Sequence, residues 1–340
     1  MLAAGGDPTK VDGNGRTLLL HAAIGGRQEI VQALFDRGLQ TQLDQSNEGG
    51  GTPLMAAVYY QHLEVLKLLL AAGADIQKPD LEEMAVLAYA VLGDDIEVLT
   101  TLLENGAQLE ATDHRVRNAL MCAAMRGNAS AAQALLQAGT NLEAVDNYDI
   151  GILTYAAVGG NVDIIDMLLA QGMPVDQSSK KGTTPLMEAA AQGQATAVQH
   201  LLTKGANPNT TNDRGETPLM YAAGSGNAAV VRILLKHHIT DVDSRNKHNR
   251  GTALMYAANS GNTAAIKLLL ARGAHIDAVN SRELSSLMYA ARGGNYAAVE
   301  VLIAKGARLT MADSQGLTAR HHAQNRGHAD VEALLRKGRQ

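Results

Sequence analysis

The stretch Gly215-Glu-Thr-Pro-Leu-Met-Tyr-Ala-Ala-Gly-Ser-Gly-Asn227, continued by Ala228-Ala-Val-Val-Arg-Ile-Leu-Leu235, decides the architecture. Thr217 and Pro218 read as a helix start. A hydroxyl accepts a hydrogen bond from a free first-turn N–H, and proline costs nothing where its missing N–H has no partner. Leu219, Met220, Ala222 and Ala223 give a short apolar helix that Gly226-Asn227 ends. Val230, Val231, Ile233, Leu234 and Leu235 give a second apolar run at helical spacing. A helix pair this short cannot bury its own apolar faces, so it requires neighbours.

The rest of the chain supplies them. Aligning on Thr217 finds equivalent starts at Thr17, Thr52, Ala85, Asn118, Gly151, Thr184, Thr252, Ser285 and Thr318. The spacing is 33 residues except for two steps of 35. A constant period of this kind marks a repeat array, so the prior of two domains for 340 residues gives way to one repeat domain over 1–340. Residues 1–11 read as a partial repeat, since Leu2-Ala-Ala-Gly-Gly-Asp7 matches the repeat ending Leu70-Ala-Ala-Gly-Ala-Asp75. A removed N-terminal segment or a ragged start is expected there.

Composition agrees: 12 Met, 9 Tyr, one Phe, no Trp and 34 Gly describe thin stacked layers rather than a large globular core. Glycines recur after both helices of the unit, where a left-handed residue closes a helix. The net charge of −5 is weak for this length and no Lys/Arg block occurs, so no nucleic-acid partner is expected. One cysteine, Cys122, rules out an internal disulfide framework and leaves the compartment open. No run of 18 apolar residues and no signal peptide is read, hence no membrane span is expected. The compartment is left between the cytoplasm and, if a leader was removed, a bacterial periplasm.

The period of 33 with Thr52-Pro-Leu-Met55, Thr184-Pro-Leu-Met-Glu-Ala-Ala190, Thr217-Pro-Leu-Met-Tyr-Ala-Ala223 and Thr252-Ala-Leu-Met-Tyr-Ala-Ala258 resembles the ankyrin repeat over residues 2–338. Methionine mostly stands where the family's Thr-Pro-Leu-His motif has histidine, and the Leu-Met-Tyr-Ala-Ala wording looks bacterial. The resemblance implies an all-α solenoid with hairpin-like loops between helix pairs, a curved stack whose concave side binds proteins.

Departures from the template carry the functional expectations. Gln61 and Asp94 replace the glycine after the first helix in repeats two and three, so a differently built turn is expected there. His238 replaces the later glycine in repeat seven. The insertions before Thr52 and Thr252 predict two enlarged hairpins. In the last repeat Arg320, Glu332 and Arg336 replace apolar residues, as a polar C-terminal cap requires.

No catalytic or metal constellation emerges. Adjacent histidines such as His321-His322 lack His-x3-His or Cys-x2-Cys company, and Cys122 has no histidine at a helical offset. Neither enzyme activity, metal nor cofactor is expected. A protein partner is. The residue after the methionine, and those three and four further on, share a helix face that in this family lines the groove. Through repeats two to five this stripe offers Tyr59, Tyr60, Tyr89, Leu92, Met125, Arg126, Tyr155 and Val158. Hairpin tips add Leu81, Met84, Tyr148 and Ile150. Aromatic, methionine and arginine side chains of this kind are enriched at interface centres. Tyr221, Tyr256 and Tyr289 read either as groove residues or as packing between first helices. The expected function is binding of another protein, monomeric when alone. Inhibition of that partner fits the bacterial wording, as in an immunity protein against a secreted toxin. The alternatives are a host-directed effector or scaffold and a self-associating structural protein.

Overall fold

The computed structural model describes residues 9–93, 95–237 and 240–337. The expectations placed on Leu2–Asp7, Asp94 and His238 lie outside them. Two compact units are present, residues 1–155 and 156–340. Within each, every repeat contributes a hairpin-like loop and two helices, and consecutive repeats pack first helix on first helix and second on second. No strand is formed among the described residues; the hairpin stems are paired by backbone hydrogen bonds such as Asn212 N–H to the Glu216 carbonyl and by single β-bridges such as Val279 with Ser285.

The template repeat folds for the reasons its sequence gives. Thr217 has extended backbone and its hydroxyl accepts from the Met220 N–H, with Pro218 opening the helix Pro218–Gly224. Thr52, Asn118, Thr184 and Ser285 cap their helices in the same way. Ala85 has no side chain to do so, and its helix is the short Val86–Ala90. Leu219, Met220, Ala222 and Ala223 are buried against the second helix Ala228–Lys236, which turns Val230, Val231, Leu234 and Leu235 inward. The methionines that stand in place of histidine (Met55, Met121, Met187, Met220, Met255 and Met288) are all core residues.

Hydrogen bonds tie neighbouring repeats together. At the hairpin tips the Leu81 N–H donates to the Gly49 carbonyl and His114 to Glu82; in the second unit Asp213 donates to Lys181 and Ser281 to Asn249. At the first-helix ends a side chain of the following repeat meets a free carbonyl: His62 Nε2 lies 3.0 Å from the Ile24 oxygen, and Asn227 Nδ2 donates to Gly193 over 2.8 Å. Helix C-termini leave carbonyls without intrahelical partners, and these side chains satisfy some of them.

Two sequence expectations change. Gln61 adopts φ 59°, the same left-handed region as the glycines it replaces, so the turn is retained rather than rebuilt. Its side chain compensates: Nε2 donates to the Val58 carbonyl and Oε1 accepts from the Asp95 N–H. The first insertion does not enlarge a hairpin. Asn47 to Thr52 keeps the spacing seen from Asn212 to Thr217, and the extra residues form a 3-10 turn, Leu39–Gln42, that buries Leu39. The second insertion does widen its hairpin. The Arg250 N–H reaches back four residues to the Asn246 carbonyl, where Gly215 reaches back three to Asn212. In the last repeat the cap substitutions pair with each other, Arg320 Nη2 meeting Glu332 Oε1 at 3.0 Å.

Candidate functional site

Every repeat but the sixth places Asp or Asn in the hairpin before its first helix, and this residue organises the groove-side stripe. In repeat three, Asp80 Oδ1 accepts the N–H groups of Glu82 and Met84, closing the hairpin. Its second oxygen takes the hydroxyl of Tyr89. Asp146 does the same with Tyr148, Ile150 and Tyr155, whose hydroxyl donates over 2.6 Å. Asn212, Asn246 and Asn280 donate their amides to Tyr221, Tyr256 and Tyr289 at 3.0 Å each, while His21 and His322 meet Asp12 and Asp313. Burial, then the neighbouring carboxylate, pushes the Tyr89 and Tyr155 hydroxyls far above their ordinary pKa. The tyrosines are therefore fixed walls, each locked to its own hairpin.

Repeat four lacks the tyrosine, and Arg117 replaces its function. Its guanidinium Nε and Nη2 donate to Asp113 Oδ2 at 2.9 and 2.6 Å, the oxygen a tyrosine would otherwise reach. Nη1 lies 3.8 Å from the Met125 sulfur. Burial alone would raise the Asp113 carboxyl, but Arg117 and the backbone N–H groups of 115 and 117 together hold it below the ordinary value. Cys122 beneath is buried, and burial pushes its thiol up, away from the reactive thiolate. Arg117 was not among the residues expected from sequence. The signal was available: it precedes the helix start at the position of Met84 and Ile150, in the one repeat with cysteine after the methionine.

The remaining predicted residues divide. Tyr59 and Tyr60 end the helix Pro53–Tyr59 half exposed, at 50% and 49%. Tyr59 stands edge-on to Tyr60 and to Tyr89, with ring centroids 5.0 and 6.0 Å apart. Leu81 and Tyr148 project from hairpin tips at 74% and 58% exposure. Arg126 is exposed, whereas Met84, Leu92, Met125 and Ile150 are half-buried. Tyr155 is the correction: at 9% exposure it is a core side chain and offers a partner no surface of its own. Val158, half-buried, belongs to the second unit. Among the described residues, nine of the ten exposed large hydrophobic side chains fall in residues 9–155, with Tyr296 the exception.

The second unit builds the same stripe with small residues, and a hollow results. Between the first helices of repeats six to eight lies a cavity of about 260 Å³, bounded by Ala191, Met220, Gly224 and the rings of Tyr221 and Tyr256. Among the described residues no three His, Cys, Asp or Glu side chains converge as metal ligands, and no helix is long and apolar enough to cross a membrane.

A family model described as "Ankyrin repeats (3 copies)" matches residues 1–80, 86–178, 120–212, 186–280 and 273–340. Among curated proteins, the leucine-rich repeat serine/threonine-protein kinase 1 of Caenorhabditis elegans is 39% identical over 82 residues, 22% of this chain. The chain spans only 3% of that kinase.

Proposed function

The chain belongs to the ankyrin-repeat family, whose members are typically non-catalytic protein–protein interaction modules, and from that premise we propose that its first unit holds a protein partner. The contact surface in this reading is Tyr59, Tyr60, Leu92, Met125 and Arg126 with the hairpin tips Leu81 and Tyr148. One observation carries it: at first-helix ends and hairpin tips, exposed large apolar side chains (Tyr59, Tyr60, Leu81, Tyr148) occur within residues 9–155 and at no such position among the described residues beyond, while Ile30 and Ile96 lie apart on second helices. Apolar groups gathered on one surface usually mark an interaction site, whereas packing requires none of them to face water. The fixed walls of Tyr89 and Asp80 hold Tyr59 in place, so little side-chain freedom is left to lose on binding.

The finer reading is inhibition. A partner enzyme bound here would be blocked, as a secreted bacterial toxin is by its immunity protein, in the cytoplasm or a bacterial periplasm. The test compares capture of proteins from source-cell extract by the wild-type chain and by a Tyr59→Ala, Tyr60→Ala, Leu92→Ala variant. Central interface residues cost at least about 2 kcal/mol each when truncated, so a retained partner falls by more than about tenfold. Undiminished capture sinks the site. An enzymatic assay of the captured partner, with and without the chain, then decides inhibition against scaffolding. Light scattering over a concentration series distinguishes both from self-association, because a monomer keeps its mass.

A further inference from the structure

Glu188 stands at the stripe position that tyrosine fills in the next three repeats, and among the described residues it has no side-chain hydrogen-bond or ion-pair partner. Its own hairpin carries Ser179 instead of Asp or Asn, so no lock exists for it. It is half-buried, and desolvation pushes its carboxyl above the ordinary value. A partly buried carboxylate without a partner is costly, and it is retained here beside the hollow of the second unit. Ala191, which bounds that hollow, is one helical turn beyond Glu188 on the same face, and Tyr221 on the opposite side feels the Glu188 charge.

The walls of the hollow are tied together by Glu216, which also lines it. Tyr256 donates its hydroxyl to Glu216 Oε1 over 2.7 Å, while Asn212 donates to both Glu216 Oε2 and the Tyr221 oxygen at 3.0 Å. Both Glu216 oxygens thus have partners, the Tyr221 hydroxyl adding a 3.4 Å contact to Oε2, whereas Glu188 has none among the described residues. Both rings line the cavity and are fixed by their hydroxyl ends. Gly224 leaves part of this space open: a Cβ there would stand 3.6 Å from the Tyr256 ring, in ordinary contact. At about 260 Å³ the cavity lies below the roughly 300–1,000 Å³ of cofactor and small-molecule sites, and suits one protein side chain.

We propose that this hollow receives an arginine side chain of a protein partner, its guanidinium paired with the Glu188 carboxylate and stacked between Tyr221 and Tyr256. The planar fork matches a free carboxylate bidentately, and guanidinium groups favour aromatic faces. The proposal extends the protein-binding reading but does not depend on the surface at Tyr59 and Tyr60.

The test is a titration of the full chain, carbon-13 labelled at methionine methyls, with N-acetylarginine methylamide. The Met220 methyl is expected to shift saturably with a Kd on the order of 1–10 mM, since one side chain alone brings little binding area. The citrulline analogue, which keeps shape but loses charge, is expected to bind at least tenfold more weakly. Glu188→Gln, near-isosteric, should weaken arginine binding at least fivefold, and Gly224→Met should remove the Met220 response by filling the space. Equal shifts from the arginine and citrulline compounds overturn the proposal, as does an unchanged Kd in Glu188→Gln or tighter binding of the lysine analogue. The Tyr59→Ala, Tyr60→Ala, Leu92→Ala variant is the control. Its Met220 response should match the wild type, so loss of partner capture there and loss of arginine binding here are separate failures.

Discussion

The groove-side stripe of the first unit is a crest and that of the second is a hollow, although both are written on the same repeat. Each unit fixes tyrosines by the hairpin Asx residue, through Asp80 with Tyr89 in one and Asn246 with Tyr256 in the other. What differs is the helix turn beyond. In the first unit it carries the half-exposed Tyr59 and Tyr60 and the half-buried Leu92 and Met125; in the second Ala191, Gly224 and Ser225 line the hollow. The wall is architecture, and the residues three and four positions later write the recognition. A repeat protein can therefore change what it binds without touching what it stacks.

The largest test of this division is Tyr155→Ala against Tyr59→Ala. Both are stripe tyrosines by sequence, but Tyr155 is buried and donates to Asp146, whereas half of Tyr59 faces water. Truncating Tyr155 should cost about 3 kcal/mol, from the lost aromatic packing and the hydrogen bond denied to Asp146. Tyr59→Ala should stay within about 0.5 kcal/mol. Guanidinium melts followed by circular dichroism read both. Equal costs would mean that wall and crest are not separate.

Next in size is Arg117→Ala, which leaves the buried Asp113 oxygen without its side-chain donors and should cost about 2 kcal/mol. Adding Cys122→Tyr to that variant should recover part of the loss, because the tyrosine lock of the neighbouring repeats becomes possible again. Acid gives an independent reading. Asp113 is held below its ordinary pKa when folded, so its contribution is complete above the ordinary carboxylate pKa and is lost as pH falls through the lower folded value. The gap in stability between wild type and Arg117→Ala should accordingly shrink on acidification from neutral pH to that range. A constant gap would assign the loss to packing of the arginine stem.

The helix pairs, their starts and their closing glycines were legible because each is local: a hydroxyl, a proline and a glycine at fixed offsets state their own backbone requirement. The locks were not, since Asp146 and Tyr155 are nine residues apart across a hairpin and a helix turn, and each alone reads as an ordinary polar or aromatic residue. Only the column of Asp or Asn read together with the column of Tyr or His would have revealed them, with Arg117 as the exception that fits. The misplaced first insertion has a simpler cause. Counting from Thr17 to Thr52 gives the excess but not its place; counting from Asn47 to Thr52 would have put it after the second helix, where Leu39–Gln42 takes it up. Crest and hollow were partly visible as large against small side chains, but that Glu188 lacks a partner follows only from the three-dimensional arrangement.

The smallest effect concerns the hairpins beneath the crest. Their left-handed position is glycine at Gly15 and Gly50, but Glu83, Val116 and Asp149 hold it in repeats three to five, Val116 at φ 63°. A β-branched side chain is the worst suited to this region, because its Cβ substituents crowd the backbone. Its 46% exposure means that little packing offsets the strain. Val116→Gly should therefore stabilise the first unit by about 1 kcal/mol, the relief of left-handed strain exceeding the added freedom of an unfolded glycine. Loss of stability in the same guanidinium melts would show that the valine is held by packing. A gain in stability with weaker partner capture would instead place Val116 on the crest with Leu81 and Tyr148, as an apolar tip kept for binding at the expense of the turn.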